Sequence, residues 1–141
     1  MKLNRRAHYS IKAMLDLVIH AQSRPISVKE IAKRQSIPAA FLEQILLDLR
    51  RADLVVSSRG VLGGYQLQRS PNQISLAQIL TAVGEQHPLP APKEQASDIV
   101  TLAVWQRLDQ AFQTALQNIN LEELYFDAQS WQASRGAVFI V

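Results

Sequence analysis

A glycine-bearing hairpin pattern at residues 54–69 constrains the fold of this chain more than any other segment. The sequence there, LVVSSRGVLGGYQLQR, contains two short runs with the period of two that is typical of strands, joined by a tight loop. The loop requires positive φ angles, which glycine adopts freely, and we expect Gly63 and Gly64 to supply them after Gly60. Arg59 is then carried at the tip of the hairpin.

Two short helices with a tight turn between them are predicted ahead of this hairpin. Ser27, followed three residues later by Glu30, predicts a capping box at the start of the first of them. Pro38 is well placed to open the second, predicted over 39–52, because its fixed φ angle suits a first helical turn. The inward face of this second helix is formed by Leu42, Ile45, Leu46 and Leu49, and the outward face by Ala40, Glu43, Gln44, Leu47 and Arg51, with Phe41 at the edge.

Further helices are predicted on both sides of this central unit. One helix is predicted before the central unit, over 6–22. Another is predicted after the hairpin, over 75–84, and is the fourth helix in chain order. In this fourth helix Ser75 and Gln78 form a second capping box, and Gly84 ends the helix. A proline-rich loop, interpreted as a linker or semi-rigid segment, is predicted at 85–98, and residues 87–92 within it must be extended. A long helix over 99–120 and an apolar tail over 134–141, interpreted as a strand, complete the chain. We therefore expect a mainly α fold with a small β-hairpin wing: a winged helix-turn-helix domain at 1–84, the loop, and a dimerisation helix with its tail at 99–141.

The long helix carries apolar residues at coiled spacings that its own small domain would leave without cover. A second copy of the chain is the simplest cover for such a helix, and packing against its own domain is the alternative. The residues expected at the dimer interface are Val104, Trp105, Leu108, Phe112, Ala115, Leu116 and Ile119.

The charge distribution favours a polyanionic partner for the first half of the chain. Residues 1–70 contain 12 Lys and Arg against 5 Asp and Glu, a net charge of +7, whereas residues 71–141 contain 3 against 7, a net charge of −4. Neutralising phosphates releases condensed counterions, so nucleic acid is the expected partner. In a major groove, Gln44 suits adenine and Glu43 suits cytosine, while Arg59 suits a narrow minor groove. A solvated helix face and an ordinary surface hairpin are the alternatives.

Several classes of protein are excluded by what the sequence lacks. The chain has no cysteine, which excludes disulfides, thiolate nucleophiles and cysteine-ligated metal centres. No apolar run approaches the roughly 20 residues that cross a bilayer, and no signal peptide is recognisable, so we expect a cytoplasmic protein without membrane contact. No glycine-rich phosphate loop, nucleophile elbow or metal motif is present, so we expect no enzymatic activity.

The order and wording of these segments resemble the IscR-type (Rrf-two) family of bacterial winged-helix transcription regulators. The arginine–glycine wing is the most specific element of the resemblance. The matching segments are Tyr9 with Ala13-Met14-Leu15-Asp16, Ile31-Ala32, Leu42-Glu43-Gln44, Leu49-Arg50, Leu54-Val55, Arg59-Gly60, Gly63-Gly64-Tyr65, Ile79, Ala82-Val83, Glu85, Trp105 and Asn118-Ile119-Asn120-Leu121.

This resemblance implies a homodimer, crossed through its long helices, that binds a palindromic double-stranded DNA operator. Each subunit would place a recognition helix in a major groove and a wing in the flanking minor groove. Ala40 and Phe41 stand where family members often carry Ser and Tyr. The residues implied in DNA binding, as base readers, phosphate contacts or wing, are Arg5, Tyr9, Ala40, Phe41, Glu43, Gln44, Arg50, Arg51, Arg59, Gly60, Gly63, Gly64 and Tyr65.

The chain departs from the cluster-sensing members of that family in the loop after the fourth helix. Those members carry three cysteines there, where this chain has PLPAPKE. Without thiolates no such cluster forms, and His8, His20 and His87 lack a metal-ligand spacing, so we expect neither cofactor nor metal. The resulting hypothesis is a dimeric repressor that occludes promoters. The alternative is an interaction module, controlled by a regulatory protein partner that binds the proline-rich loop and the acidic second half.

Overall fold

Helices dominate the fold, and one antiparallel hairpin projects from them. The computed structural model describes residues 4–85 and 99–136. The predicted mainly α fold with a hairpin wing is confirmed, and the ends of the predicted helices agree with the observed ones to within two residues. In chain order the elements are α1 (Arg5–His20), α2 (Val28–Gln35), α3 (Ala39–Arg51), β1 (Val55–Ser58), β2 (Gly64–Leu67), a short 3-10 helix (Pro71–Gln73), α4 (Leu76–Ala82), α5 (Ile99–Asn118) and α6 (Leu121–Gly136).

Side-chain caps determine where α2 and α4 begin. At α4 the predicted capping box is complete, since Ser75 Oγ accepts from the Gln78 amide at 3.1 Å and Gln78 Oε1 accepts from the Ser75 amide at 2.9 Å. At α2 only half of the predicted box forms. Ser27 Oγ accepts from the Glu30 amide at 3.1 Å, but the Glu30 carboxylate accepts from Arg24 at 3.2 Å instead of reaching back. An ion pair therefore replaces the second capping hydrogen bond.

A hydrophobic core joins α1, α2, α3, the hairpin, α4 and the first residue of α6. The inward face predicted for α3 is confirmed, because all four of its residues are fully buried. Burying side chains of this size contributes about 1.5–3 kcal/mol each, so the rotation of α3 about its own axis is strongly fixed. The largest fully buried side chains are Met14, Leu17, Ile26, Ile31, Leu42, Ile45, Leu46, Leu49, Leu54, Ile74, Ile79 and Leu121.

A buried carboxylate locks α1 to α2. Asp16 is fully buried, and its two oxygens accept from Arg34 Nε at 3.0 Å and Nη2 at 2.9 Å. Gln35 Nε2 also donates to this carboxylate at 2.9 Å. The hydrogen bond to Asp16 is the main reason that the pKa of Arg34 is raised above its usual range. The two-pronged geometry gives the helix pair a single relative position.

The wing is a two-stranded hairpin whose second strand also pairs with the segment before α2. Val55 pairs with Leu67 and Ser58 with Gly64 within the hairpin. Gly64, at φ +154°, runs so close to this segment that a Cβ added there would lie 2.3 Å from the Ile26 carbonyl oxygen. Glycine is required at Gly63, as predicted, but the predicted reason, a positive φ angle, was wrong. Positive φ occurs at Gly60 and Gly64, whereas Gly63 is required because a Cβ there would lie 2.4 Å from the Ser58 carbonyl oxygen.

The C-terminal helices are tied to the first unit by backbone hydrogen bonds. The Leu76 amide donates to the Ile119 carbonyl at 2.8 Å, and the Leu121 amide donates to the Ile74 carbonyl at 2.8 Å. The sequence did not predict α6, and the strand expected from residue 134 is wrong for 134–136, which are helical. The rest of that expected strand, at 137–141, and most of the proline-rich loop, at 86–98, lie outside the described residues.

Candidate nucleic-acid interface

The outward face of α3 presents polar side chains near the start of the helix. Ala40, Glu43 and Gln44 are exposed, as expected for a recognition helix. Neither Glu43 nor Gln44 forms an ion pair or a side-chain hydrogen bond within the part of the chain that the structure describes. Their hydrogen-bonding groups therefore remain available for an external ligand. Leu47, predicted on the same face, is half-buried.

Tyr9 and Phe41 contact each other instead of standing apart. Their rings meet edge to face, with centroids 5.5 Å apart and an interplanar angle of 84°, an arrangement favoured by the ring quadrupoles. Both are half-buried against the hydrophobic core. Lys12 lies near the Tyr9 ring, 6.0 Å from its centroid, and donates to the Gln35 carbonyl. The aromatic pair therefore fixes the start of α3 against α1.

The arginines predicted to approach DNA differ in how far they are already engaged. Arg50 donates through Nη1 to Ser57 Oγ at 3.2 Å, which links the end of α3 to β1. Arg51 Nη1 lies 3.9 Å from Asp48 Oδ1. Arg5 and Arg59 are exposed, and neither forms an ion pair within residues 4–85 and 99–136. These two cations are therefore the ones most available for phosphates or a groove.

A second ion pair that the sequence did not reveal holds α3 from the other side. Arg6 donates to the Asp48 carboxylate and, through Nε, to the Val83 carbonyl at 2.6 Å. This one guanidinium therefore connects α1, α3 and the end of α4. No local sequence signal relates positions 42 residues apart, since such a pairing appears only once the helices are packed.

The tip of the wing is a tight turn with outward side chains. The Gly63 amide donates to the Gly60 carbonyl at 3.0 Å, which places Val61 and Leu62 at the centre of the turn. The prediction that Arg59 stands at the tip was therefore wrong, because Arg59 precedes the turn and lies beside it. The relative exposures of Val61 and Leu62 are 103% and 88%. Tyr65, by contrast, is half-buried and packs against the core, so its place in the wing is structural.

The helix α5 has two different faces. Phe112 and Leu116 pack with Ala7 and Leu80 in a small second cluster, so Leu116 contributes to the core of its own chain. Ile119 and Trp105 are half-buried. A neighbouring face is exposed and comprises Val104 at 54%, Leu108 at 56%, Ala111 and Ala115. The seven residues predicted as one dimerisation stripe therefore divide between an internal and an external face.

Residues 4–85 and 99–136 contain neither a cluster of metal ligands nor a membrane-spanning helix. No group of three or more His, Asp or Glu side chains that would suit a metal ion occurs in that part of the chain. None of the helices seen there is both long and apolar enough to cross a membrane.

Comparison with known protein families assigns the chain. A family model described as Rrf2, iron-dependent transcriptional regulator, matches residues 3–127. The chain belongs to the Rrf2 family. Members of this family and the relatives found are transcriptional regulators, so the protein is a DNA-binding regulator and not an enzyme, as the sequence predicted.

The relatives match along most of their length. An HTH-type transcriptional regulator of Synechocystis, slr0846, is 51% identical over 140 residues, which are 96% of this chain and 95% of the relative. IscR of Aliivibrio salmonicida is 35% identical over 141 residues, which are 95% of this chain and 83% of the relative.

Solved structures of other regulators share the fold. IscR of T. potens superposes with a TM-score of 0.75 at 34% identity, over 94% of this chain and 91% of the other. CymR of B. subtilis, described as a global cysteine regulator, superposes with a TM-score of 0.76 at 29% identity, over 89% of this chain and 96% of the other.

Proposed function

We propose that this Rrf2-family protein is a homodimeric, sequence-specific repressor that occludes promoters in the cytoplasm by binding a palindromic operator. The observation that carries the proposal is the continuity of α3 and the wing. The exposed Glu43 and Gln44 lie on α3, the end of α3 is linked to β1 through Arg50 and Ser57, and the exposed Arg59 follows β1 beside the tip of the hairpin. This arrangement suits a helix in the major groove and a wing in the minor groove.

Base reading is assigned to Glu43 and Gln44, and minor-groove contact to Arg59. Phosphate contact is assigned to Arg5 and Arg50. Arg51 contributes charge to the same region, although Asp48 partly neutralises it. Tyr9 and Phe41 act by positioning, because each is engaged with the other and with the core.

The proposed dimer forms through the exposed face of α5. This helix has 20 residues and is therefore about 30 Å long. Val104 and Leu108 expose more than half of their surface on it, and the small Ala111 and Ala115 continue that face, which allows another helix to approach closely. A symmetric pair of such faces covers the apolar surface that a single chain leaves in water.

The proposed repressor works without a thiolate-ligated iron–sulfur cluster. Such clusters are held by cysteine thiolates, and the chain contains no cysteine. The residues present therefore do not fit a cluster of this type, and the proposed DNA binding does not depend on one.

Selection of genomic DNA fragments by the purified protein tests operator binding, with Arg59→Ala compared in parallel. We expect an enriched palindrome with half-sites about one helical turn apart. Arg59→Ala is expected to weaken operator binding by about 1–3 kcal/mol and to reduce the salt dependence by about one phosphate equivalent. Arg107→Ala, which removes the same charge from the exposed surface of α5, is the matched control. Equal affinity of the wild type and Arg59→Ala would contradict the groove role of the wing.

Sedimentation of Leu108→Glu tests the dimer. The new carboxylate would be buried without a partner in the proposed interface, so we expect this variant to sediment as a monomer. Gln110→Glu, which adds the same charge at another exposed position of α5, should remain dimeric. A dimeric Leu108→Glu variant would place the interface elsewhere.

A second candidate function is an interaction module controlled by a partner protein. The observation in its favour is on α6, where Phe126 is 55% exposed and Glu122, Glu123 and Asp127 add negative charge. Capture from native lysate with the full chain, compared with Phe126→Ser, tests it. Recovery of only this protein and DNA would exclude the second function.

A further inference from the structure

Val61 and Leu62 have the most exposed large apolar side chains in the described part of the chain. Their relative exposures are 103% and 88%, and the next most exposed large apolar residue there is Ile99 at 78%. Neither residue belongs to the hydrophobic clusters of the chain. Two adjacent aliphatic side chains in full contact with water stabilise nothing within the subunit, so their chemistry points to an external ligand.

The backbone of the turn is closed, and these two side chains point away from it. The turn is closed by the 3.0 Å hydrogen bond from the Gly63 amide to the Gly60 carbonyl. Gly60 has φ +105°, and a Cβ at Gly63 would lie only 2.4 Å from the Ser58 carbonyl oxygen. The turn is therefore closely packed at Gly63, and Val61 and Leu62 are presented outward.

The surroundings of this tip favour a polyanion with apolar surface. No Asp or Glu occurs between residues 54 and 84, whereas Arg59 and Arg69 flank the tip in sequence. Arg59 is exposed beside the turn and has no ion pair among the described residues. A duplex offers both complements at once, because phosphates line its minor groove while sugars and stacked bases present apolar surface within it.

We propose that Val61 and Leu62 form an apolar wedge that enters the minor groove beside Arg59 and partly unstacks one base step. The inference rests on the proposed operator binding and adds a mechanism of shape recognition to it. Aliphatic side chains inserted between base steps bend DNA toward the major groove by about 20–90°. Pyrimidine–purine steps unstack most easily, so the wedge selects such a step at a position where no hydrogen bond reads a base.

The test compares the wild type with the double variant Val61→Ser, Leu62→Ser on the selected operator. Affinity and salt dependence are measured by titration, and the bend by energy transfer between the ends of a labelled duplex. We expect about tenfold weaker binding, a smaller bend and loss of the preference for TA over AA at the wing position. The salt dependence should stay unchanged because no charge is removed.

The matched control is Val56→Ser, which removes an exposed apolar side chain from β1 instead of from the tip. Val56 is 45% exposed, and its variant should keep both affinity and bend. Folding is not at issue for the double variant, since the two side chains belong to no cluster, and an unchanged melting temperature checks this. Leu62→Met, which retains an apolar tip, should bend the operator as the wild type does.

Two results would overturn the wedge while leaving operator binding intact. The first is an unchanged operator affinity of the double variant. The second is a weaker affinity with an unchanged bend, which would mean that the tip touches the DNA surface without entering between base pairs. Failure of the wild type to enrich any sequence would instead refute the proposed function and the wedge together.

Discussion

Replacing Gly64 by alanine tests whether the wing is held against α2 by close backbone approach. Gly64 sits next to the bridge between Ile26 and Tyr65, in which the Ile26 amide donates to the Tyr65 carbonyl at 3.0 Å and the Tyr65 amide donates back at 2.8 Å. A Cβ at residue 64 would lie 2.3 Å from the Ile26 carbonyl oxygen and 2.8 Å from the Ser27 nitrogen. Backbone atoms cannot rotate away as a side chain does, so the two segments must separate.

The magnitude follows from two costs. Holding an alanine at φ +154°, where glycine is favoured, costs about 1–3 kcal/mol. Separating the bridge removes two hydrogen bonds of about 1 kcal/mol each. The expected loss in free energy of unfolding is therefore about 3–5 kcal/mol, a large share of the 5–15 kcal/mol that stabilises a typical domain.

The variant Gly60→Ala separates the free-energy cost of the steric clash at residue 64 from the cost of holding an alanine at a positive φ angle. Gly60 also has a positive φ, +105°, but a Cβ there meets nothing within 4 Å. Its loss should therefore be limited to about 1–3 kcal/mol of backbone strain. Urea unfolding of both variants, with the wild-type slope checked in each, gives the difference directly. Equal destabilisation of the two variants would refute the close-approach argument.

Two further predictions concern charged groups of the helix-turn-helix. Arg34→Met leaves the fully buried Asp16 carboxylate without its ionic partner, so we expect a loss of about 3 kcal/mol in urea unfolding; a loss below about 0.5 kcal/mol would make this pair dispensable. Hydrogen bonding from Arg24 is the main cause that lowers the pKa of Glu30 below 4.5. Because the folded-state pKa is the lower one, the stabilisation is present above about pH 4.5 and is lost as the pH falls through the folded-state value. Glu30→Gln should remove this component of the acid sensitivity, whereas Glu43→Gln, at an exposed position, should leave it unchanged.

Local signals were sufficient to predict most of the fold. The faces of α3 follow from the spacing of its apolar residues, because four buried positions recurring every three or four residues leave one solution for the rotation of a helix. The start of α4 follows from Ser75 and Gln78, whose reciprocal bonds need no tertiary partner. The hairpin follows from its glycines, although the reason for Gly63 lies in the approach of the Ser58 carbonyl, which becomes visible only in three dimensions.

The helix α6 was missed although a local signal for its start exists. Asn120 Oδ1 accepts from the Glu123 amide at 2.9 Å, which is the N-cap geometry that an Asn followed three residues later by Glu predicts. Beyond the buried Leu121 and the half-buried Leu124 and Tyr125, however, the helix has no continuous apolar stripe. Periodicity therefore favoured no structure over 126–136, and the apolar end of the chain suggested a strand instead.

Predicting the candidate site from the sequence required more tertiary information than predicting the fold did. The sequence identifies which positions of α5 are apolar, but it does not identify the neighbour that each one meets. Phe112 and Leu116 face inward because they pack against Leu80 of α4 and Ala7 of α1. Val104 and Leu108 find no such neighbour in the described residues and are exposed. Likewise, no sequence pattern distinguishes an aromatic ring that contacts DNA from one that positions the helix which does.

The proposed recognition helix α3 is held to α1 at two points, and both resist its movement within the subunit. Phe41, in its first turn, packs on Tyr9, and Asp48, toward its end, pairs with Arg6, which also binds the Val83 carbonyl. Tilting α3 within the subunit would break the aromatic contact or the ion pair, in addition to disturbing four buried side chains. Changing the distance between the two α3 helices of the proposed dimer would leave those contacts intact. Because Phe112 and Leu116 attach α5 to the domain that carries α3, a change in the packing of two α5 helices in that dimer would carry each α3 with it.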